Sequence, residues 1–248
     1  MSRKSSDHRR GPGFSLIEIA LGVIVFTMVS GIVWTIYSKS NTYAAKGTWR
    51  VQTAAKQRLA LRQVKDFLEK SSYPSAIRVD NYIEDPSYQM QLGAGGSLSG
   101  TAATSGATVG MSVYEFKTVG PILDFSASTP DQDFGGLKVA GISNHVVLSL
   151  ETKGSTSSAM QLVATSDAFK VELAGGKLSV ASTPFKKQRI VLLEDVAEID
   201  VGISGLASTK EKTLVEFCVL TKDPYDGKLR LRETAKAVVN VIAKKAGS

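Results

Sequence analysis

Cysteine occurs once and histidine twice in the 248 residues, and those shortages exclude several designs at once. The single thiol, Cys218, closes no disulfide within the chain, so the fold has to rest on its apolar core. His8, His145 and Cys218 offer no pair with zinc-ligand spacing. Cys218 lies in the run Glu-Phe-Cys-Val-Leu, where a small core residue is expected rather than a nucleophile. His145 opens a candidate strand and is expected at its edge, not in catalysis. The small-residue stretch 93–110 lacks the Lys-Ser/Thr ending and the strand–helix setting of a phosphate loop. Asp131-Gln132-Asp133 and Asp223-Pro224-Tyr225-Asp226-Gly227 hold calcium-type oxygen ligands, with Asp223 and Asp226 as candidates. Both are also turn sequences, and the turn reading is preferred. No catalytic constellation emerges: the chain is read as a non-enzyme that needs no cofactor.

Proline is absent between Pro12 and Pro74, and most of that interval has helical character. Residues 14–37 contain one ionisable side chain, Glu18. At ~1.5 Å per residue such a run reaches roughly 36 Å, enough to cross a ~30 Å hydrocarbon core with some tilt. A carboxylate inside a span costs ~2.5–3.5 kcal/mol on insertion scales, so it calls for a partner or a role. Gly22, Ser30 and Gly31 are small residues that permit close helix approach. A conventional secretory signal has a shorter apolar core than this. Residues 1–13 are read as a basic leader that carries +3 of the formal +7. Basic residues ahead of a span predict a cytoplasmic N-terminus, with the bulk of the chain on the other side. The remaining charge is dispersed, and nucleic acid is not an expected partner.

Residues 38–72 continue as an amphipathic helix. Val51, Ala54, Ala55, Leu61, Val64 and Leu68 recur at helical spacing, with Leu59 and Phe67 widening the apolar face. Arg50, Lys56, Arg58, Arg62, Lys65 and Lys70 are expected on a solvated face. Ser71-Ser72-Tyr73-Pro74 predicts the end of the helix, because proline disfavours helical geometry in the residue before it. Residues 73–248 read as one β-rich domain. Its candidate strands are 112–118, 145–152, 160–165, 169–173, 178–181, 189–193, 198–203, 214–220, 228–232 and 235–242. A hairpin is expected at Ala174-Gly175-Gly176-Lys177, and residues 93–110 are expected to form a mobile loop. The fold class is therefore α+β, a long N-terminal helix packed on a mostly antiparallel sheet.

Gly13-Phe14-Ser15-Leu16-Ile17-Glu18, where the leader meets the apolar run, resembles the processing site of type IV pilins and type II secretion pseudopilins. In that family a membrane-embedded prepilin peptidase cuts after the Gly and methylates the new N-terminus. The resemblance implies a cut between Gly13 and Phe14, N-methylation of Phe14, and an assembly role for Glu18. In a filament of parallel helices it implies that the Glu18 carboxylate pairs with the Phe14 amine of a neighbouring subunit. Such pairing would offset the cost of both charges in a low-dielectric bundle. A looser resemblance runs from Arg189 through Leu192-Leu193 and Val196 to Ile199, which looks like a late strand of the J-type minor pseudopilin and the W-type minor pilin. The chain departs from the family in lacking both a helix-bending proline in the span and a C-terminal disulfide loop.

What the resemblance implies is a pilin-like minor subunit of a type II secretion pseudopilus or type IV pilus. Its partners would be prepilin peptidase, other pilins or pseudopilins, and an inner-membrane assembly platform. It would sit in the inner membrane as a single-pass protein with a periplasmic C-terminal domain before entering the filament. The alternatives are a DNA-uptake pseudopilin and a single-pass envelope protein of another function.

Overall fold

The computed structural model describes residues 15–74, 89–101, 111–130, 140–154, 159–174, 177–204, 213–223, 226–239 and 243–245. The chain divides into two units, Met1–Arg50 and Val51–Ser248. A single helix, α1 (Leu16–Glu69), supplies the described part of the first unit and the opening segment of the second. Its length follows from the missing proline and from the helix-forming Ala, Leu, Lys, Arg and Gln of its second half. It ends through bonds from Lys70 N–H to the Asp66 carbonyl and from Ser71 N–H to the Leu68 carbonyl.

Within the second unit, Gln57, Ala60, Leu61, Val64 and Leu68 are the buried residues of α1. Their i, i+3, i+4, i+7 spacing makes one stripe, and the four apolar members join a core that includes Phe116, Phe125, Ile199, Phe217 and Val219. Burying a Leu or Val side chain contributes ~1.5–3 kcal/mol each. The expected apolar face was broader. Val51 is 73% exposed and Leu59 60% exposed, since both fall off the stripe. Gln57 holds a position that spacing alone would give to an apolar residue. Its Nε2 donates to Thr221 Oγ1 and to the Leu231 carbonyl, both at 3.0 Å, and so sets the helix against two strands. Arg58 adds an ion pair to Glu233 at 3.3 Å.

The strands among the described residues are β1 (Met90–Leu92), β2 (Ser97–Thr101), β3 (Ser112–Phe116), β4 (Gly120–Pro130), β5 (Ala140–Thr152) and β6 (Met160–Ala174). They continue with β7 (Lys177–Val180), β8 (Lys186–Ile203), β9 (Thr213–Lys222), β10 (Arg230–Val239) and β11 (Ala243–Lys245). They form one sheet in the order β10-β9-β8-β6-β5-β4-β1-β11, with β3 also on β8, β2 on β3 and β7 on β6. All pairs are antiparallel except β1 with β11. The architecture is thus α+β, a long N-terminal helix packed with a mostly antiparallel sheet. The expected hairpin at Ala174 and Lys177 joins β6 to β7, where these two residues pair.

The strand boundaries depart from expectation in instructive places. Segments 160–165 and 169–173 are one strand, because β5 pairs with β6 without a break through the polar residues between them. Segments 189–193 and 198–203 are likewise one strand, β8, but a distorted one. Three register irregularities interrupt its pairing with β6 and β9, and Asp195 has φ 57°. Bulges bend a strand and increase its twist. By this means β8 turns from β6 along its first half to β9 and β3 along its second, which curls the sheet. Lys153 Nζ lies 2.9 Å from Glu194 and 3.8 Å from Asp195, so a cation sits over the distortion.

β4 was not expected at all: prolines bound it, and its Ser-Ala-Ser-Thr run lacks apolar alternation. Its Ile122, Leu123 and Phe125 are nonetheless buried. The stretch expected to be a mobile loop begins with ordered structure. Ser97–Thr101 is the strand β2, while residues 102–110 lie outside the described residues. Its first glycines serve close approach instead of freedom: a Cβ on Gly93 would sit 1.9 Å from the Pro121 carbonyl oxygen, and one on Gly96 2.6 Å from the Phe116 ring.

Two stability measurements check this packing. Gln57→Ala removes the donor from Thr221 and the Leu231 carbonyl, and urea unfolding should register a loss of about 1–3 kcal/mol. Gly93→Ala forces the backbone away from Pro121, with an expected loss of about 1–3 kcal/mol. Wild-type unfolding in either variant would show that the contact does not constrain the fold.

Candidate functional site

At the head of α1, Ser15 and Glu18 cap the helix reciprocally. Ser15 N–H donates to Glu18 Oε2 at 2.9 Å, and Glu18 N–H donates to Ser15 Oγ at 3.3 Å. This is a capping box, which also places the carboxylate at the positive end of the helix dipole. Glu18 is exposed. Gly13 and Phe14 lie outside the described residues. The apolar part of α1 reaches a mean hydropathy of 2.4 with none of it buried, so by length and composition the helix could cross a membrane. The hydroxyls of Thr27 and Thr35 donate to the Ile24 and Gly31 carbonyls, both at 2.8 Å, and so need no water.

Asp223 and Asp226 lie in the connection between β9 and β10. Asp223 Oδ1 accepts from Asp226 N–H at 3.2 Å, and Asp226 Oδ1 accepts from Lys228 N–H at 3.2 Å. Backbone bonds between Asp223 and Leu229 and between Leu229 and Asp226 close the same turn. Both carboxylates thus take part in the turn's own hydrogen bonding. Asp131 and Asp133 lie outside the described residues.

On the sheet face opposite α1, strand alternation gathers Glu115, Glu198 and Asp200, whose carboxylate oxygens lie within 4.8 Å of one another. That spacing would suit a divalent cation, but two side-chain cations already share the cluster. Lys117 Nζ is 2.6 Å from Glu115 and 3.6 Å from Glu198, while Arg232 pairs with Asp200. The Lys117 hydrogen bond holds Glu115 below the usual carboxylate range. Burial, with the Glu115 carboxylate alongside, pushes Glu198 above the usual carboxylate range. Burial pushes Asp200 up against the opposing pull of Arg232. Cys218 is buried as expected, yet it lies on this face, where it accepts from Arg232 Nε at 2.9 Å. The arrangement is an ion-pair network.

A cleft of about 320 Å³ opens over β4, β5 and β6. His145 lies within it, well inside β5 and not at its edge, paired with Ser126 on one neighbour and Asp167 on the other. Its Nε2 is 2.5 Å from Asp124 Oδ1. Gln89 and Gln91 border the same cleft, Ser126 and Ser143 lie buried in its floor, and Phe169, Val180 and Ala181 form an apolar side.

Sequence reading missed the Ser15 cap, although Ser-x-x-Glu ahead of an apolar run is its local signature. Neither carboxylate cluster nor cleft leaves such a trace, because each is assembled across strands far apart in the chain. The His145–Asp124 pair predicts a pH dependence. The Asp124 hydrogen bond raises the His145 pKa, with burial opposing it. A raised folded-state pKa stabilises fully below the unfolded value of ~6.5, and that stabilisation is lost as pH rises through the folded value. Unfolding free energy should therefore decline as pH rises from about 6.5, and the decline should shrink in Asp124→Asn. Denaturant titrations across that range test it; an equal slope in the variant would remove the pair as the cause. No known protein family, curated protein or solved structure matches this chain.

Proposed function

We propose that the chain is a prepilin-like minor subunit of a type II secretion pseudopilus or type IV pilus, processed between Gly13 and Phe14 and assembled through its N-terminal helix. The observation that carries this reading is the placement of Glu18. A carboxylate stands in the first turn of an unburied apolar helix whose far end is seated on a β domain. An ordinary membrane anchor would gain only a helix cap from that charge, against the cost of a carboxylate in the span. In the single chain the carboxylate is engaged by Ser15 N–H, a local bond that a stronger partner can displace. A cationic α-amine on a neighbouring Phe14 is such a partner, because opposite charges in hydrocarbon attract far more strongly than a carboxylate and a neutral amide. Cleavage creates that amine. Processing would therefore convert a self-capped helix into one able to pair with another subunit.

The function follows without chemistry on a substrate. The subunit is acted on by prepilin peptidase, held in the inner membrane with its β domain in the periplasm, and drawn by an assembly platform into a filament with other pilins or pseudopilins.

Mass spectrometry of the mature protein should find an N-methylated Phe14 at its start; any other N-terminus overturns the reading. Capping and charge pairing then separate by substitution. Glu18→Gln keeps a capping-box side chain but loses the charge, and should be cleaved normally yet fail to enter filaments. Ser15→Ala keeps the charge and loses about 1 kcal/mol of capping, and should still assemble. Normal incorporation of Glu18→Gln would show that the charge is not what assembly uses.

A further inference from the structure

We propose that the cleft over β4, β5 and β6 is a binding site for a neutral saccharide unit, an inference independent of how the N-terminal helix is used. Three properties of the cleft select that chemistry. The first is charge. Among the described residues, Asp124 and His145 are its only ionisable lining groups, and they face each other at 2.5 Å. The remaining polar lining consists of amides and hydroxyls. With Asp124 matched by His145, and the adjoining Asp167 by Lys187, the described lining attracts neither a phosphate nor a free cation.

The second property is the kind of hydrogen bonding on offer. Gln91 presents an amide that both donates and accepts, and Ser143 a hydroxyl that does the same. Sugar hydroxyls need both kinds of partner at once. A purely acidic or purely basic lining would leave half of those bonds unmade. Ser143 Oγ is itself held by Ser128 Oγ at 3.1 Å, so the floor is ordered before any ligand arrives.

The third is the division of the cleft into a polar and an apolar side. Phe169 is half-buried at its margin, with Val180 beside it. A pyranose ring has hydroxyls around its rim and C–H groups on its faces, and an exposed aromatic edge or face packs against the latter. The volume of about 320 Å³ lies at the lower end of the range for small-molecule sites. It suits one or two sugar rings and is small for a folded partner. The edge of β4 that borders the cleft is engaged by Ser72 at Ser126 and Ser128, so an extended peptide would have to displace those bonds to join a backbone ladder there. Gln91, Asp124, Ser126, Ser143 and His145 stand on paired strands, which hold them more rigidly than loops do.

The test is saturation-transfer difference NMR on the full chain in lipid nanodiscs, since glycosidic detergents would compete for the site. The probes are trisaccharides of glucose, galactose and N-acetylglucosamine, with inorganic phosphate and trialanine as comparisons. At least one trisaccharide at about 10 mM, well above a millimolar dissociation constant, should receive saturation on its ring protons. Phe169→Ala should abolish the transfer and Asp124→Asn should weaken binding about tenfold, with circular dichroism unchanged. If Phe169→Ala unfolds, Gln91→Ala, at an exposed position, should give a comparable loss. No transfer to any trisaccharide, equal transfer in the folded variants, or stronger binding of phosphate or trialanine would each overturn the proposal.

Discussion

The seat of α1 on the sheet is the contact on which the β domain depends. Leu61, Val64 and Leu68 supply its apolar substance, but Gln57 gives it an address. An all-apolar stripe could slide along the core or rotate by a residue at small cost, since hydrophobic burial has no direction. A buried amide must find its acceptors or forfeit them. Gln57 finds them on Thr221 of β9 and Leu231 of β10, and so fixes the helix in both rotation and translation relative to those strands. With that register set, Arg58 meets Glu233 and the helix ends where Ser72 reaches β4.

How much of this was legible beforehand depends on whether the cause is local. The helix could be read from composition and the absence of proline, and Leu61, Val64 and Leu68 from their spacing. Val51 and Leu59 carry the same signal, but both are exposed. Gln57 is invisible to any reading that assigns polar residues to the surface. β4 is hidden because proline and serine are poor strand formers, and only pairing with β5 along nearly its whole length overrides that preference. Gly93 and Gly96 were misjudged because the same absence of a side chain serves both freedom and close contact. The Ser15–Glu18 cap has a local signature, its members lying three residues apart, yet it was missed. Asp124 and His145, or Glu115 with Glu198 and Asp200, become neighbours only through strand register.

The two faces of the curled sheet use their polar residues differently. The face under α1 admits the buried Gln57 amide with its Thr221 acceptor among mainly apolar side chains. The opposite face joins Glu115, Lys117, Glu198, Asp200 and Arg232 into ion pairs, with Lys236 on Glu216 beside them. Opposite charges on adjacent strands reward one register and penalise a slip. That is a useful supplement in a region where bulges in β8 loosen the ladder.

One small junction has a wider consequence. Among the described residues β1 pairs with β4 only at Leu123 and Asp124, and no described strand pairs with the following edge of β4 on that side. Ser72, just past the end of α1, fills the gap: its N–H donates to the Ser126 carbonyl, and its hydroxyl bonds both the N–H and the carbonyl of Ser128. Open strand edges are templates for a foreign chain. The protein closes this one with its own backbone at the point where helix gives way to loop. Fraying of the last helical turn would therefore do more than loosen a terminus. It would uncover an adhesive edge, which couples the integrity of the helix to the resistance of the whole domain to aggregation.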